Sequence, residues 1–121
     1  MSQNITLLAV LLMIAVSLTG CTGTDRQPEI VAHFTGQNQV STSQFSLDPG
    51  PAQFTMYHGS RIDSVEDAFI VKLMDQDGDL VERILVTTGP YDGIITVKVP
   101  NDGYYFLNVI AAAPWEITVS Q

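Results

Sequence analysis

The chain has 121 residues, 45% of them hydrophobic and only 15% charged, and thirteen carboxylates against five basic side chains leave a formal net charge of −8. That length corresponds to one domain, and that sign of charge disfavours nucleic acid and electrostatic adsorption to anionic headgroups. Cys21 is the one cysteine, so no disulfide can form within the chain and hydrophobic burial must supply the stability.

The first segment in chain order is residues 5–18, ITLLAVLLMIAVSL, a uniformly apolar run without a charge. It is shorter than the ~20 apolar residues of a membrane-spanning helix and has the length of a signal-peptide core. The preceding MSQN departs from the usual signal pattern in having no Lys or Arg. Behind the run stands Leu18-Thr19-Gly20-Cys21, which resembles a prokaryotic lipobox. That resemblance implies that residues 1–20 are a signal peptide cut before Cys21. It further implies a diacylglyceryl lipid on the Cys21 thiol and a location on the extracytoplasmic face of the cell membrane. Two acyl chains, at about 0.8 kcal/mol per buried methylene, anchor firmly where one is marginal. The competing reading is an uncleaved anchor helix with an incidental cysteine. Residues 21–28 are then the lipidated cysteine and a polar tether, TGTDRQP from Thr22 to Pro28, and residues 29–121 the folded domain.

From Glu29 onward the apolar residues recur with period two. Ile30, Ala32 and Phe34 alternate, then Phe45 and Leu47 (with a backward extension toward Val40), then Phe54 and Met56 with His58 at the rim of the core. Phe69, Val71 and Leu73 follow, then Leu80, Ile84 and Val86 on one face, interrupted by Glu82. Ile95, Val97 and Val99 come next, then Tyr105, Leu107, Val109 and Ala111, and Trp115, Ile117 and Val119 close the chain. DPGP, DQDGD, GPYDG and PNDG separate these runs, and such dipeptides tolerate the positive φ of tight turns. The longer GSRIDSVED, residues 59–67, has room for one helical turn. The spacing predicts an all-β chain: a single antiparallel β-sandwich of about eight strands, jelly-roll-like, after the N-terminal signal-peptide helix. Ile70, Met74 and Ile94 make the opposite face of some strands apolar as well, which fits either central strands or a face that meets a partner.

The succession of a Phe-x-Val-x-Leu-x-Asp-x-x-Gly hairpin at 69–78, Gly-Pro-Tyr-x-Gly at 89–93, Gly-x-Tyr-x-Leu-x-Val at 103–109 and Trp-x-Ile at 115–117 resembles a group of small uncharacterised secreted domains found on lipoproteins. More distantly it is similar to the β-sandwich accessory domains of secreted peptidases. The resemblance implies an extracytoplasmic binding or structural module and no known activity.

Asp75, Asp77, Asp79 and Glu82 place four carboxylates within eight residues, a density that suits weak calcium binding. The EF-hand pattern fails, since its Gly and Glu positions hold Leu80 and Val86, and a solvated hairpin tip is the plainer reading. His33 and His58 are too few for a zinc site, and His58, Ser60 and Asp63 stand close in sequence without any nucleophile motif. Tyr91 and Tyr104 are candidate ligand contacts for a glycan or a protein. The expectation is a non-enzyme without a cofactor beyond the lipid on Cys21. Its partners would be the membrane, through the lipid, and an envelope protein or glycan. A calcium- or glycan-binding module, or a subunit of an envelope complex, is the alternative.

Overall fold

The computed structural model describes residues 27–60 and 65–121. The signal peptide, the lipobox and most of the tether therefore lie outside the described residues, as do Arg61 to Ser64. Among the described residues, period-two alternation becomes nine strands and one 3₁₀ turn: β1 (Ile30–Gly36), β2 (Val40–Ser41), β3 (Phe45–Leu47), β4 (Gly50–His58), the turn at Val65–Asp67, β5 (Ala68–Asp75), β6 (Leu80–Thr88), β7 (Tyr91–Val99), β8 (Gly103–Ala111) and β9 (Trp115–Ser120).

Two antiparallel sheets result. The first has the order β1-β9-β4-β7 and the second β2-β8-β5-β6, with β3 also paired to β8. Taken as one interrupted strand, β2 and β3 complete the eight strands of a jelly roll, in which the chain changes sheet at every connection except the β5–β6 hairpin. At the break, Thr42 holds the chain against β8: its N–H donates to the Leu107 carbonyl at 2.9 Å and its Oγ1 accepts from the Leu107 N–H at 3.0 Å.

The core lies between the sheets. Ala52, Phe54 and Met56 of β4 and Ile117 and Val119 of β9 face Phe69, Val71 and Leu73 of β5 and Leu107 and Val109 of β8, all essentially without solvent contact. Each of these is one phase of an alternating strand, so a slip of one residue would carry that strand's core residues to the solvent side. Gly78 and Gly89 have φ of 89° and 79°, a conformation only glycine takes without cost.

Three expectations are corrected. Leu80 and Val86 do not share the inward face with Ile84; they are 49% and 60% exposed while Ile84 is buried. The β5–β6 ladder shifts register between Val71 and Lys72 and again between Leu73 and Met74. Val86, Arg83 and Leu80 thereby stand opposite the outward-facing Ile70, Lys72 and Met74, so the spacing along β6 is three rather than two. Such bulges twist an edge strand and protect it from unwanted pairing. His58 is not at the rim but fully buried, because the inward phase of Ala52, Phe54 and Met56 continues to it. Ile30 opens β1 on the solvent side, 71% exposed.

The two ends of the sandwich differ. One carries the β3–β4, β5–β6 and β7–β8 turns together with the place where the chain enters and leaves: Glu29 and Gln121 exchange both backbone hydrogen bonds, at 3.2 and 2.9 Å. The other carries the β1–β2, β4–β5, β6–β7 and β8–β9 connections. Truncation of the core should be costly and truncation of the outer face cheap. Phe54→Ala is expected to lower the unfolding free energy by about 3–5 kcal/mol, and Ile94→Ala by about 0.5 kcal/mol or less, both read from urea denaturation.

Candidate functional site

At the entry end, the β5–β6 and β7–β8 turns enclose a cleft of about 480 Å³. Asp75 and Asp77 line one side and Asp102 the other, with Leu80 and Tyr104 at the rim and Tyr105 among the lining residues. Tyr105 is buried and donates its hydroxyl hydrogen to the Asn101 carbonyl, which ties the β7–β8 turn to the strand that follows it. Tyr104, its neighbour in sequence, alternates outward and is 56% exposed. The fold thus brings Tyr104 together with two of the four acidic candidates, although roughly 30 residues of chain separate them. That proximity follows from the pairing of Asp75 with Tyr105 across β5 and β8.

The four carboxylates themselves do not form one group. Asp75 Oδ1 accepts the backbone N–H groups of Asp77 and Asp79, each at 2.9 Å. The backbone closes the same turn with Asp75 N–H to the Asp79 carbonyl and Gly78 N–H to the Asp75 carbonyl, both at 2.9 Å. This is the local side-chain-to-backbone bonding that makes Asp a turn residue. Glu82 lies beyond the turn, on β6 opposite Leu73. Among the described residues no group of three or more His, Cys, Asp or Glu side chains is arranged to hold a metal ion.

At the far end, His58 and Tyr91 face each other across β4 and β7. Tyr91 is the first residue of β7 and not a turn residue; it is half-buried, with its ring 6.4 Å from that of Phe69. The His58 ring stacks on Phe69 with centroids 4.6 Å apart and planes within 5°. Its Nδ1–H donates to the Gly89 carbonyl at 2.8 Å, which sets the tautomer because a carbonyl can only accept. Nε2 is buried without a hydrogen-bond partner. Ser60, also buried, donates to Asp67 of the 3₁₀ turn. The serine and histidine are therefore not coupled through Nε2, and Asp63 lies outside the described residues. The signal for His58 as a core residue was present in its period-two spacing from Phe54; that its ring would lie on Phe69 was not.

The outer faces of the two sheets have opposite character. On the first, Thr35, Glu116, Tyr57 and Asp92 form one cross-strand row and His33, Thr118, Thr55 and Ile94 the next. The His33 Nε2–H donates to Glu116 Oε2 at 2.6 Å, both side chains being half exposed, which makes the pair a minor contributor to stability. On the second sheet, Val86, Ile70 and Ile110 form one row and Leu80, Met74 and Phe106 another, and between them run Arg83, Lys72 and Asn108.

No protein-family model matches the chain, and no curated protein matches it. The role of Asp75 in its turn is open to a direct check. Asp75→Ala should cost about 1–2 kcal/mol through the two backbone N–H groups it leaves without their acceptor, and Asp77→Ala should change stability by no more than about 0.5 kcal/mol. His58→Phe keeps the stack on Phe69 but strands the buried Gly89 carbonyl, and should cost about 1–3 kcal/mol. Thermal and chemical denaturation of the three variants measure all of these.

Proposed function

We propose that the protein is a lipid-anchored extracytoplasmic module, a non-catalytic β-sandwich that binds a partner at the cell envelope. The observation that carries this reading is Leu18-Thr19-Gly20-Cys21 directly behind a short uncharged apolar run. The architecture is compatible with it. Thr22 to Pro28 can span about 25 Å at roughly 3.3–3.6 Å per residue, and the chain enters the sandwich at the end where Glu29 pairs with Gln121. A lipid on Cys21 then holds that end toward the bilayer. Asp48, Asp75, Asp77, Asp79 and Asp102 cluster in the turns of this end, and their charge keeps it off anionic headgroups. The opposite end and both outer sheet faces stay open to partners. A non-catalytic role is supported by the hydrogen bonding of His58 and Ser60, which runs to Gly89 and Asp67.

A second reading places a calcium ion or a glycan in the cleft at the entry end, because Asp75, Asp77 and Tyr104 converge on it. Millimolar calcium raising the melting temperature of the wild type and not of Asp77→Ala would favour it; an unchanged melting temperature would remove the calcium arm.

The anchor has its own test. Cells fed an alkyne fatty acid should label the wild-type protein, and Cys21→Ser should abolish the label and release the domain from the membrane fraction. An unlabelled wild type, or a labelled Cys21→Ser variant, refutes the anchor.

A further inference from the structure

The outer face of the second sheet is unusual in its charge. Lys72 and Arg83 are directly opposite each other on β5 and β6, and like charges in that position destabilise a sheet. The chain has thirteen carboxylates against five basic residues, yet neither Lys72 nor Arg83 has an ion-pair partner among the described residues, where the one such pair is His33 with Glu116. Next in the same cross-strand row, Asn108 has a buried Oδ1 without a hydrogen-bond partner. Apolar rows lie on either side, their edge members Val86 and Leu80 about half exposed. An unneutralised cation pair framed by apolar rows is unfavourable for the isolated domain and complementary to one kind of surface.

We infer that the outer face of the second sheet docks a different protein, through a contact in which a carboxylate of that partner sits on Lys72 and Arg83 between two apolar side chains. This deepens the binding-module reading by giving the partner's chemistry. The three rows are two residues apart along β5, about 7 Å at roughly 3.4 Å per residue. A strand of the partner with the spacing apolar-x-acidic-x-apolar, packed face to face at the usual small angle between sheets, meets all three. A second copy of this chain is the poorer occupant. Stacked on the same face it would bring the cation pairs together, and on the outer face of its first sheet the row beside Glu116 and Asp92 has His33, Thr118 and Thr55 next to Ile94 where a wholly apolar row would be required.

The experiment uses the full-length chain in its native cells, with a benzophenone amino acid placed at Val86 or, as the control face, at Ile94. The expected result is one discrete adduct from Val86, none from Ile94, and mass spectrometry that maps the adduct to a different protein beside an acidic residue flanked by apolar ones. Lys72→Glu with Arg83→Glu should reduce the adduct at least tenfold, and replacing the mapped carboxylate by Lys should restore it. The double variant should keep the wild-type melting temperature, since it exchanges one like-charge pair for another, so lost docking cannot be ascribed to misfolding. No adduct at Val86, equal adducts at Ile94, an adduct with a second copy or with lipid, or an adduct insensitive to charge reversal overturns the inference. Membrane fractionation of Cys21→Ser, run in parallel, reads the anchor separately from the docking face.

Discussion

Phe54 of β4 and Phe69 of β5 are both without solvent contact, and the layer they form between the sheets is the constraint on which the other elements depend. With a single cysteine in the chain there is no cross-link to hold two sheets together, so each strand has to commit one phase of its alternation to that layer. β8 illustrates how far this goes. It pairs with β2 and β3 on one side and β5 on the other, and the alternating Tyr105, Leu107 and Val109 are its contribution to the core. A slip of one residue in β8 would turn all three outward, so the register of the second sheet is specified by burial rather than by its turns.

Closure of that layer at the far end depends on side chains of mixed character. His58 stacks on Phe69 and is hydrogen-bonded to Gly89, which fixes the β6–β7 connection against the end of β4. Trp115 does the same for the β1–β2 connection: its Nε1–H reaches the Asn38 carbonyl at 3.1 Å. Its ring lies where a Cβ on Gly36 would be, 2.6 Å from the nearest ring carbon, so only glycine admits it. Aromatic rings with a polar handle suit this position, where one side is core and the other a loop that needs a donor.

The acidic balance of the chain is distributed unevenly. Carboxylates gather in the turns at the entry end, while the outer face of the second sheet has two cations and six apolar side chains. The first sheet's outer face has Glu116 and Asp92 on either side of Tyr57, and beyond that row mostly Thr, Gln and Ser beside Ile94. A domain that only had to stay soluble would have no reason to differ so strongly from one side to the other, and the asymmetry is therefore the part of the molecule most informative about what it meets.

Fold class was legible because burial on one side of a strand writes itself into the sequence with period two, and Gly-Asp turns mark where each strand stops. The inward phase of β4, β5, β7, β8 and β9 follows from that alone, as does the room for a helical turn before β5. What the sequence could not disclose was anything set by pairing partners distant in the chain. The bulges that turn Leu80 and Val86 outward depend on how β6 fits the twist of β5, and local periodicity has no record of that. The meeting of Asp75 and Asp77 with Tyr104 depends on β5 lying beside β8, and the unpaired juxtaposition of Lys72 and Arg83 depends on a shifted register. The sequence by itself determined the alternation, the turns and the lone Cys21 behind its apolar run, because these are local properties. Only the tertiary structure decided which outward residues became neighbours, because that is set by cross-strand register, a relation between residues far apart in the chain.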